Sequence, residues 1–271
     1  MIARLAETDY PHVRPVFEAL RYNLVVDSVI DGNTPAWVFV DDVARPGRGL
    51  IWDRQDAMLI AGAPDDAFSH DVARVIGDEI IPDAQARSIP VLSLQYDTAA
   101  WEPVIEQTIL AGRQAERLLR RTYSFDRLRV DWRAALPAGT EMRRIDRDLL
   151  DHPTLDNADQ VAGWVDSFWR SHAAFVETGF GYCLAQGGAI ASWCLTVFAS
   201  GSNYEVGLAT APEYQGQGYA TLVAAATIEH CLALGATPHW HCWEENVASQ
   251  RVADKVGFTR PRTYPAYRFW L

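Results

Sequence analysis

Glu205-Val206-Gly207-Leu208-Ala209-Thr210-Ala211-Pro212-Glu213-Tyr214-Gln215-Gly216-Gln217-Gly218-Tyr219-Ala220 is the stretch whose reading decides the fold. An apolar run fit for a strand passes into a polar loop with two glycines. The loop opens an apolar helix, Tyr219–Leu234, which Gly235 ends as a C-cap glycine should. Gly216 and Gly218 have no Cβ, so unusual backbone angles and close approach by a ligand are both open to the loop. The first helical turn presents unpaired N–H groups and the positive end of the dipole, an anion site suited to a pyrophosphate. On these residues alone, a tight strand-to-helix turn that binds nothing competes with that reading. A Rossmann fingerprint would need a third glycine where Thr221 stands, and a Walker loop would need Gly-Lys-Ser/Thr.

A second informative segment follows in chain order. Pro238–Trp243 reads as a strand. After it comes Asn246-Val247-Ala248-Ser249-Gln250-Arg251-Val252-Ala253-Asp254-Lys255-Val256-Gly257-Phe258, a helix ended by Gly257. Asn246 and Ser249, three apart, share one helix face.

Gln215-Gly216-Gln217-Gly218-Tyr219-Ala220 resembles the acetyl-CoA loop of the GNAT family of N-acetyltransferases, Gln/Arg-x-x-Gly-x-Gly/Ala. The downstream helix resembles the family's Asn-x-x-Ser…Lys-x-Gly-Phe pattern, and two motifs at compatible spacing are far more specific than either alone. The resemblance covers about residues 160–271. The Trp240-His241-Cys242-Trp243 strand and the long N-terminal half are similar to the larger, zwittermicin-resistance-like subgroup.

The resemblance implies an α/β (α+β) fold with a mixed, splayed sheet flanked by helices. It implies a V-shaped opening between Tyr204–Thr210 and Pro238–Trp243, with acetyl-CoA or another acyl-CoA in it. Backbone at Leu208, Ala209 and Thr210 would pair with the pantetheine arm like an added strand. The N–H groups of Gln215, Gly216, Gln217, Gly218, Tyr219 and Ala220 would hold the pyrophosphate, and Thr221 would add a hydroxyl. Asn246 would bond the pantetheine and Ser249 would sit near the cofactor, while Lys255 is expected in solvent. The implied reaction is direct attack of a neutral primary amine of a small molecule or peptide on the thioester. Ammonium cannot attack, so a base is needed, and Glu205 is the candidate by position. An edge-facing carboxylate paired with a neighbouring arginine is the plainer reading of Glu205; His239 and His241 lie across the implied opening, where either could relay a proton, with plain packing the commoner role of a strand histidine. Many family members carry a tyrosine where this chain has Ala253, so the acid for the departing thiol is open: Tyr264, Tyr267, or no acid at all. An inactive acyl-CoA-binding module is the alternative function.

Outward from these motifs, the chain of 271 residues has ordinary globular composition, with 49% hydrophobic and 22% charged residues. A formal net charge of −11 opposes nucleic acid and anionic membrane as partners, and suits a cationic amine. Cys183, Cys194, Cys231 and Cys242 have neither zinc-knuckle nor redox spacing and apolar neighbours, so buried free thiols, no metal and a cytoplasmic setting are expected. No signal peptide or apolar span of about 18 residues is visible. The N-terminal half starts with a helix over Val13–Leu20. Leu24–Ile30, Trp37–Val40, Leu50–Trp52 and Met58–Ile60 read as strands, and a helix from Val72 stops near Pro82. Val91–Leu94 is a strand, Trp101–Leu110 a helix and Leu118–Phe125 a strand. Leu128–Trp132 and Glu141–Ile145 are strand candidates in a connection, 126–160. A helix at Val161–Phe168 has a continuation to Phe175, followed by strands at Gly181–Ala185 and Ala189–Phe198. The expected domains are 1–130, a degenerate GNAT-like copy without the glycine loop, and 131–271, the acetyltransferase domain. Trp164, Trp169, Trp193 and Trp243 are candidates for an acceptor pocket or for plain packing.

Overall fold

The computed structural model describes residues 2–271. The chain divides into two compact units. One runs to Arg120 and takes in Tyr264–Leu271; the other is Arg121–Thr263. The first division falls earlier than the expected 130, and the return of the C-terminus to the first unit has no local sequence signal.

In chain order the elements are β1 (Ala3–Arg4), α1 (Leu24–Ile30), β2 (Trp37–Val40), β3 (Gly49–Trp52), β4 (Ala57–Ala61), α2 (Asp66–Val75), α3 (Ile81–Ala86) and β5 (Val91–Tyr96). Then come α4 (Glu102–Val104), β6 (Ala115–Phe125), β7 (Thr140–Arg144), α5 (Arg147–Asp151), α6 (Ala158–Phe168) and α7 (His172–Thr178). The last are β8 (Gly181–Gln186), β9 (Ala189–Ser200), β10 (Asn203–Thr210), α8 (Tyr219–Ala233), β11 (Thr237–Trp243), α9 (Val247–Val256) and β12 (Phe258–Trp270). Among the described residues no helix is long and apolar enough to cross a membrane.

In the first unit β1, β2, β3 and β4 pair antiparallel in sequence order, β4 pairs parallel with β5, and β5 pairs antiparallel with the end of β12. The β4–β5 register runs without a break from Ala57↔Ser93 to Ile60↔Tyr96. Beyond it, Gly62 N–H donates to Asp97 Oδ2 at 2.9 Å, and Trp101 Nε1–H donates to Gly62 O at 2.9 Å. Asp65 caps α2, its carboxylate accepting from Phe68 N–H. The turn between β3 and β4 is held by buried Asp53, whose Oδ1 accepts from Gln55 N–H at 2.8 Å and Ala57 N–H at 3.0 Å. Leu50, Trp52, Ile60, Val72, Ile76, Leu94 and Phe269 form the core of this unit.

Several expectations are corrected here. Leu24–Ile30 is a helix, not a strand: Asn23 caps it by accepting from Val25 N–H, and all seven residues are buried. A short apolar run buried all round has no periodicity to tell helix from strand. The opening segment forms two 3-10 turns, Glu7–Val13 and Glu18–Leu20, instead of one α-helix. Pro82 does not stop its helix, because a π-helical turn at Ile76–Ile80 precedes it and Pro82 falls in the first turn of α3, where its missing N–H costs nothing. Trp101–Leu110 is likewise mixed, with a π-helical turn at Ile105–Ile109. Leu128–Trp132 is irregular chain, anchored by Arg129 N–H on Val256 O.

In the second unit β7, β8, β9 and β10 pair antiparallel in order, and β11 pairs parallel with β10. The helix after β10, α8, is buried along most of its length against Leu184, Cys194, Val206 and Trp240, which explains its uniformly apolar sequence. The expected continuation of α6 to Phe175 is broken: Trp169 turns to extended backbone and Ser171 starts α7, accepting from Ala174 N–H. Trp169 is buried and its Nε1–H donates to Thr196 O at 2.8 Å. Both units share one local order, a strand, a helix and a parallel strand: β4–α2–β5 and β10–α8–β11.

Candidate functional site

The site starts from a failure of pairing. Registered β10–β11 partners are Asn203↔Thr237, Tyr204↔Pro238 and Glu205↔His239. Both strands continue, β10 to Thr210 and β11 to Trp243, without further partners in that ladder. On its other edge β10 stays paired with β9 as far as Thr210↔Ser192. The two parallel strands therefore part just after Glu205, leaving the β11-facing edge of Leu208, Ala209 and Thr210 open. A register shift between Glu205 and Val206, with an extra residue in β9, sits at the parting point. Bulges of this kind bend a strand and end pairing next to functional sites. Ser192 Oγ supports the open segment, donating to Ala209 O at 2.9 Å and lying 2.8 Å from Thr210 Oγ1.

At the end of β10 the chain makes a 3-10 turn, Pro212–Tyr214, and enters the glycine loop. Gln215, Gly216, Gln217 and Gly218 are exposed. Gly216 lies at φ +78° and Gly218 at +83°, the left-handed region where a Cβ is disfavoured, although an added Cβ would meet nothing within 4 Å at either. Backbone shape, not crowding, is thus the present reason for these glycines. Gly218 is the N-cap of α8 and brings no side chain to its first turn. Thr221 N–H bonds Gly218 O at 3.0 Å. Tyr219 turns its side chain inward, buried, with its hydroxyl on Gln186 Oε1 at 3.0 Å, so only its backbone faces the loop. Ala220 and Thr221 are half-buried.

Glu205 is buried at the parting point, and its Oε2 lies 2.8 Å from His241 Nδ1; the two side chains are 8% and 1% exposed. Water is therefore nearly excluded from this pair. This imidazole is not the partner the sequence suggests for Glu205. His239 Nε2 lies 2.9 Å from Asn203 Oδ1. Burial holds the His239 imidazole below its usual value; Glu205 pulls the other way and His241 adds to the lowering. Asn203, Glu205, Gly207 and Ala209 alternate onto one face of β10, while Tyr204, Val206 and Leu208 face α8.

Asn246 and Ser249 already have intramolecular work. Asn246 caps α9, its Oδ1 accepting from Ser249 N–H at 3.0 Å, and Ser249 Oγ accepts from buried Trp240 Nε1–H at 3.0 Å. Lys255 is exposed. Ala253 is fully buried in the core with Val256 and Phe258. Tyr264 and Tyr267 belong to the first unit, where the Tyr267 hydroxyl donates to Glu106 at 2.6 Å. The four cysteines are free and buried, and burial pushes the Cys183, Cys194 and Cys231 thiols up to about 12.

Two features escaped the sequence reading: the bulge at Glu205, which leaves no residue signature, and the singling out of His241 over His239. The parallel register, once known, places position 241 two residues past the partner of Glu205, on the same face.

Comparison with known proteins follows this geometry. The model of the family described as GNAT acetyltransferase matches residues 14–267. An uncharacterized N-acetyltransferase of Bacillus subtilis (strain 168), YdfB, is 26% identical over 267 residues, covering 98% of each chain. A GCN5-related N-acetyltransferase-like protein from Streptococcus suis 89/1591 is similar in structure with a TM-score of 0.74 at 21% identity, over 98% of this chain and 100% of that one. A tandem GNAT protein from the clavulanic acid biosynthesis pathway has a TM-score of 0.57 at 13% identity, over 100% of this chain and 98% of its own.

Proposed function

We propose, proceeding from the fact that this chain belongs to the GNAT acetyltransferase family and is an acyl-CoA-dependent N-acetyltransferase, that it transfers acetyl to a primary amine by direct attack, with Glu205 as the proton acceptor. The parting of β10 and β11 immediately after Glu205↔His239 is the observation that carries this reading. It sets a buried carboxylate beside an unpaired strand edge, and the exposed glycine loop lies at the end of that same strand.

Family enzymes use acetyl-CoA, and the residues present fit it. The left-handed Gly216 and Gly218 leave the loop open, and the first turn of α8 has N–H groups for a diphosphate. The Gln215 N–H is already donated to Pro212 O at 3.3 Å, so in this reading the amides of Gly216 through Ala220 hold the phosphates, Thr221 adds its hydroxyl, and the open edge at Leu208, Ala209 and Thr210 takes the pantetheine amides. Asn246 contributes through Nδ2, and Ser249 lines the same helix face. When bound, acetyl-CoA supplies the thioester carbonyl that the amine attacks. A strand N–H from the open edge donates to that carbonyl oxygen as charge develops. Glu205 removes the proton from the ammonium, and His241, with its proton on Nδ1, holds the carboxylate in place. The carbon–nitrogen bond forms as the carbon–sulfur bond breaks. The thiol, with a pKa near that of free cysteine, about 8.5, leaves as thiolate without a dedicated acid, consistent with alanine at position 253.

The test is acetyl-CoA-dependent thiol release with an amine panel, for wild type and Glu205→Gln. Release that depends on amine in the wild type and falls steeply in the variant is expected. Amine-independent release at the same rate in both would overturn the reading.

A further inference from the structure

Four aromatic rings stand in line on the face of the sheet that carries Glu205. Trp193 meets Trp164 edge-on at 6.0 Å between ring centroids, Trp164 meets Phe168 at 6.0 Å, and Phe168 meets Phe198 edge-on at 5.6 Å. The ends of the row are fixed by register: Trp193 is the cross-strand partner of Ala209, and Phe198 is the partner of Glu205. Residues directly opposite in an antiparallel pair share a face. The row thus runs alongside β10 from the open edge to the carboxylate. Its middle depends on Gly207, since a Cβ there would lie 3.0 Å from Trp164 and 2.7 Å from Val197. Glycine at this position leaves room for Val197 first and for the Trp164 ring second.

Two details separate this row from ordinary core. Trp164 and Phe168 face the sheet but are only half-buried, so part of their surface stays open. Trp193 is 2% exposed, yet its Nε1–H has no acceptor among the described residues. A buried indole N–H normally finds a partner, and a bound oxygen would provide one.

We propose that the acceptor is a primary amine carried on a flat, apolar, aryl-type body, with Trp164 and Phe168 as its specificity-determining residues. This rests on the reading above that the amine meets Glu205. The ammonium end is drawn to the carboxylate, and the body lies along the rings. Polyhydroxylated or multiply charged amines would lose water against this wall and find at most the one Trp193 indole N–H in return, and so are discriminated against.

The experiment compares phenethylamine, spermidine and glucosamine as acceptors for the full chain with acetyl-CoA, followed by thiol release. In parallel, phenethylamine binding to the protein with CoA is measured by calorimetry. The expected kcat/KM for phenethylamine exceeds the other two by about tenfold or more. Trp164→Ala raises its KM by about tenfold while keeping the acetyl-CoA thermal shift; the milder Phe168→Leu, which removes the ring but keeps an apolar side chain, acts in the same direction more weakly and guards against a folding defect. Preference for spermidine or glucosamine overturns the acceptor class and leaves the transfer reading standing. A phenethylamine KM unchanged in both variants, or no phenethylamine binding, also overturns it. Ring-dependent binding of phenethylamine without transfer would support the acceptor class and sink the proposed chemistry instead.

Discussion

Replacing Glu205 with Gln exchanges one oxygen for an amide nitrogen and leaves shape unchanged. The remaining amide oxygen can still accept from His241 Nδ1, now 2.8 Å from the carboxylate, so the fold should lose less than about 1 kcal/mol. The proton acceptor, however, is gone. A primary amine with a pKa of about 10 is roughly one part in a thousand neutral at pH 7. A variant that cannot deprotonate its substrate is confined to that fraction. The expected loss in kcat/KM at pH 7 is therefore about a thousandfold, or ~4 kcal/mol of barrier, inside the range for removal of a general base. It should shrink about tenfold for each unit of pH and vanish near pH 10, where the amine arrives neutral. Thiol release is followed between about pH 7 and pH 10 in both proteins, alongside thermal melts and acetyl-CoA binding. A folded, acetyl-CoA-binding variant that retains a third or more of its activity at neutral pH would refute the assignment. A loss that stays constant with pH would refute it equally.

Gly218→Ala meets no steric obstacle, only left-handed strain of about 1–2 kcal/mol, so the melting temperature should fall by a few degrees while the acetyl-CoA thermal shift disappears. Trp169→Phe removes the buried N–H donated to Thr196 O and should cost about 1–3 kcal/mol in a urea titration with little change in acetyl-CoA binding. In the first unit, burial and then the neighbouring Asp56 hold the Asp53 carboxyl above the usual carboxylate range, against Gln55 and Ala57 N–H and Arg120. A folded pKa above the unfolded value of about 4 means that stability is lost as pH rises through that window. Asp53→Asn keeps the amide-accepting oxygen and should flatten stability against pH above about 4, gaining on the wild type toward neutral pH; parallel urea midpoints across pH check this.

The strand–loop–helix at 205–220 was legible because each part has its own local cause. An apolar run makes the strand, two left-handed glycines make the loop, and Gly235 stops the helix. The same local logic failed at Leu24–Ile30, where complete burial erases the periodicity that separates helix from strand. It failed again at Trp169, whose break in the helix is dictated by a bond to a distant carbonyl. Asn246 and Ser249 stood out as polar residues on one helix face, but spacing could not reveal that one caps the helix and the other serves Trp240. Pairing of Glu205 with His241, and the row of rings beside it, depend on strand register, which a single chain does not write into its residues.

The first unit repeats the strand–helix–strand order without the opening. Its parallel pair is closed residue by residue to Ile60↔Tyr96 and stapled beyond that by Asp97 on Gly62. Where α8 begins at Gly218 with no capping side chain, the start of α2 is occupied by the carboxylate of Asp65, with Asp66 next to it. A second diphosphate would meet negative charge and a cleft already zipped. Titration of the full chain with acetyl-CoA in a calorimeter is therefore expected to saturate at one molecule for each polypeptide, and a second equivalent site would contradict this contrast between the units.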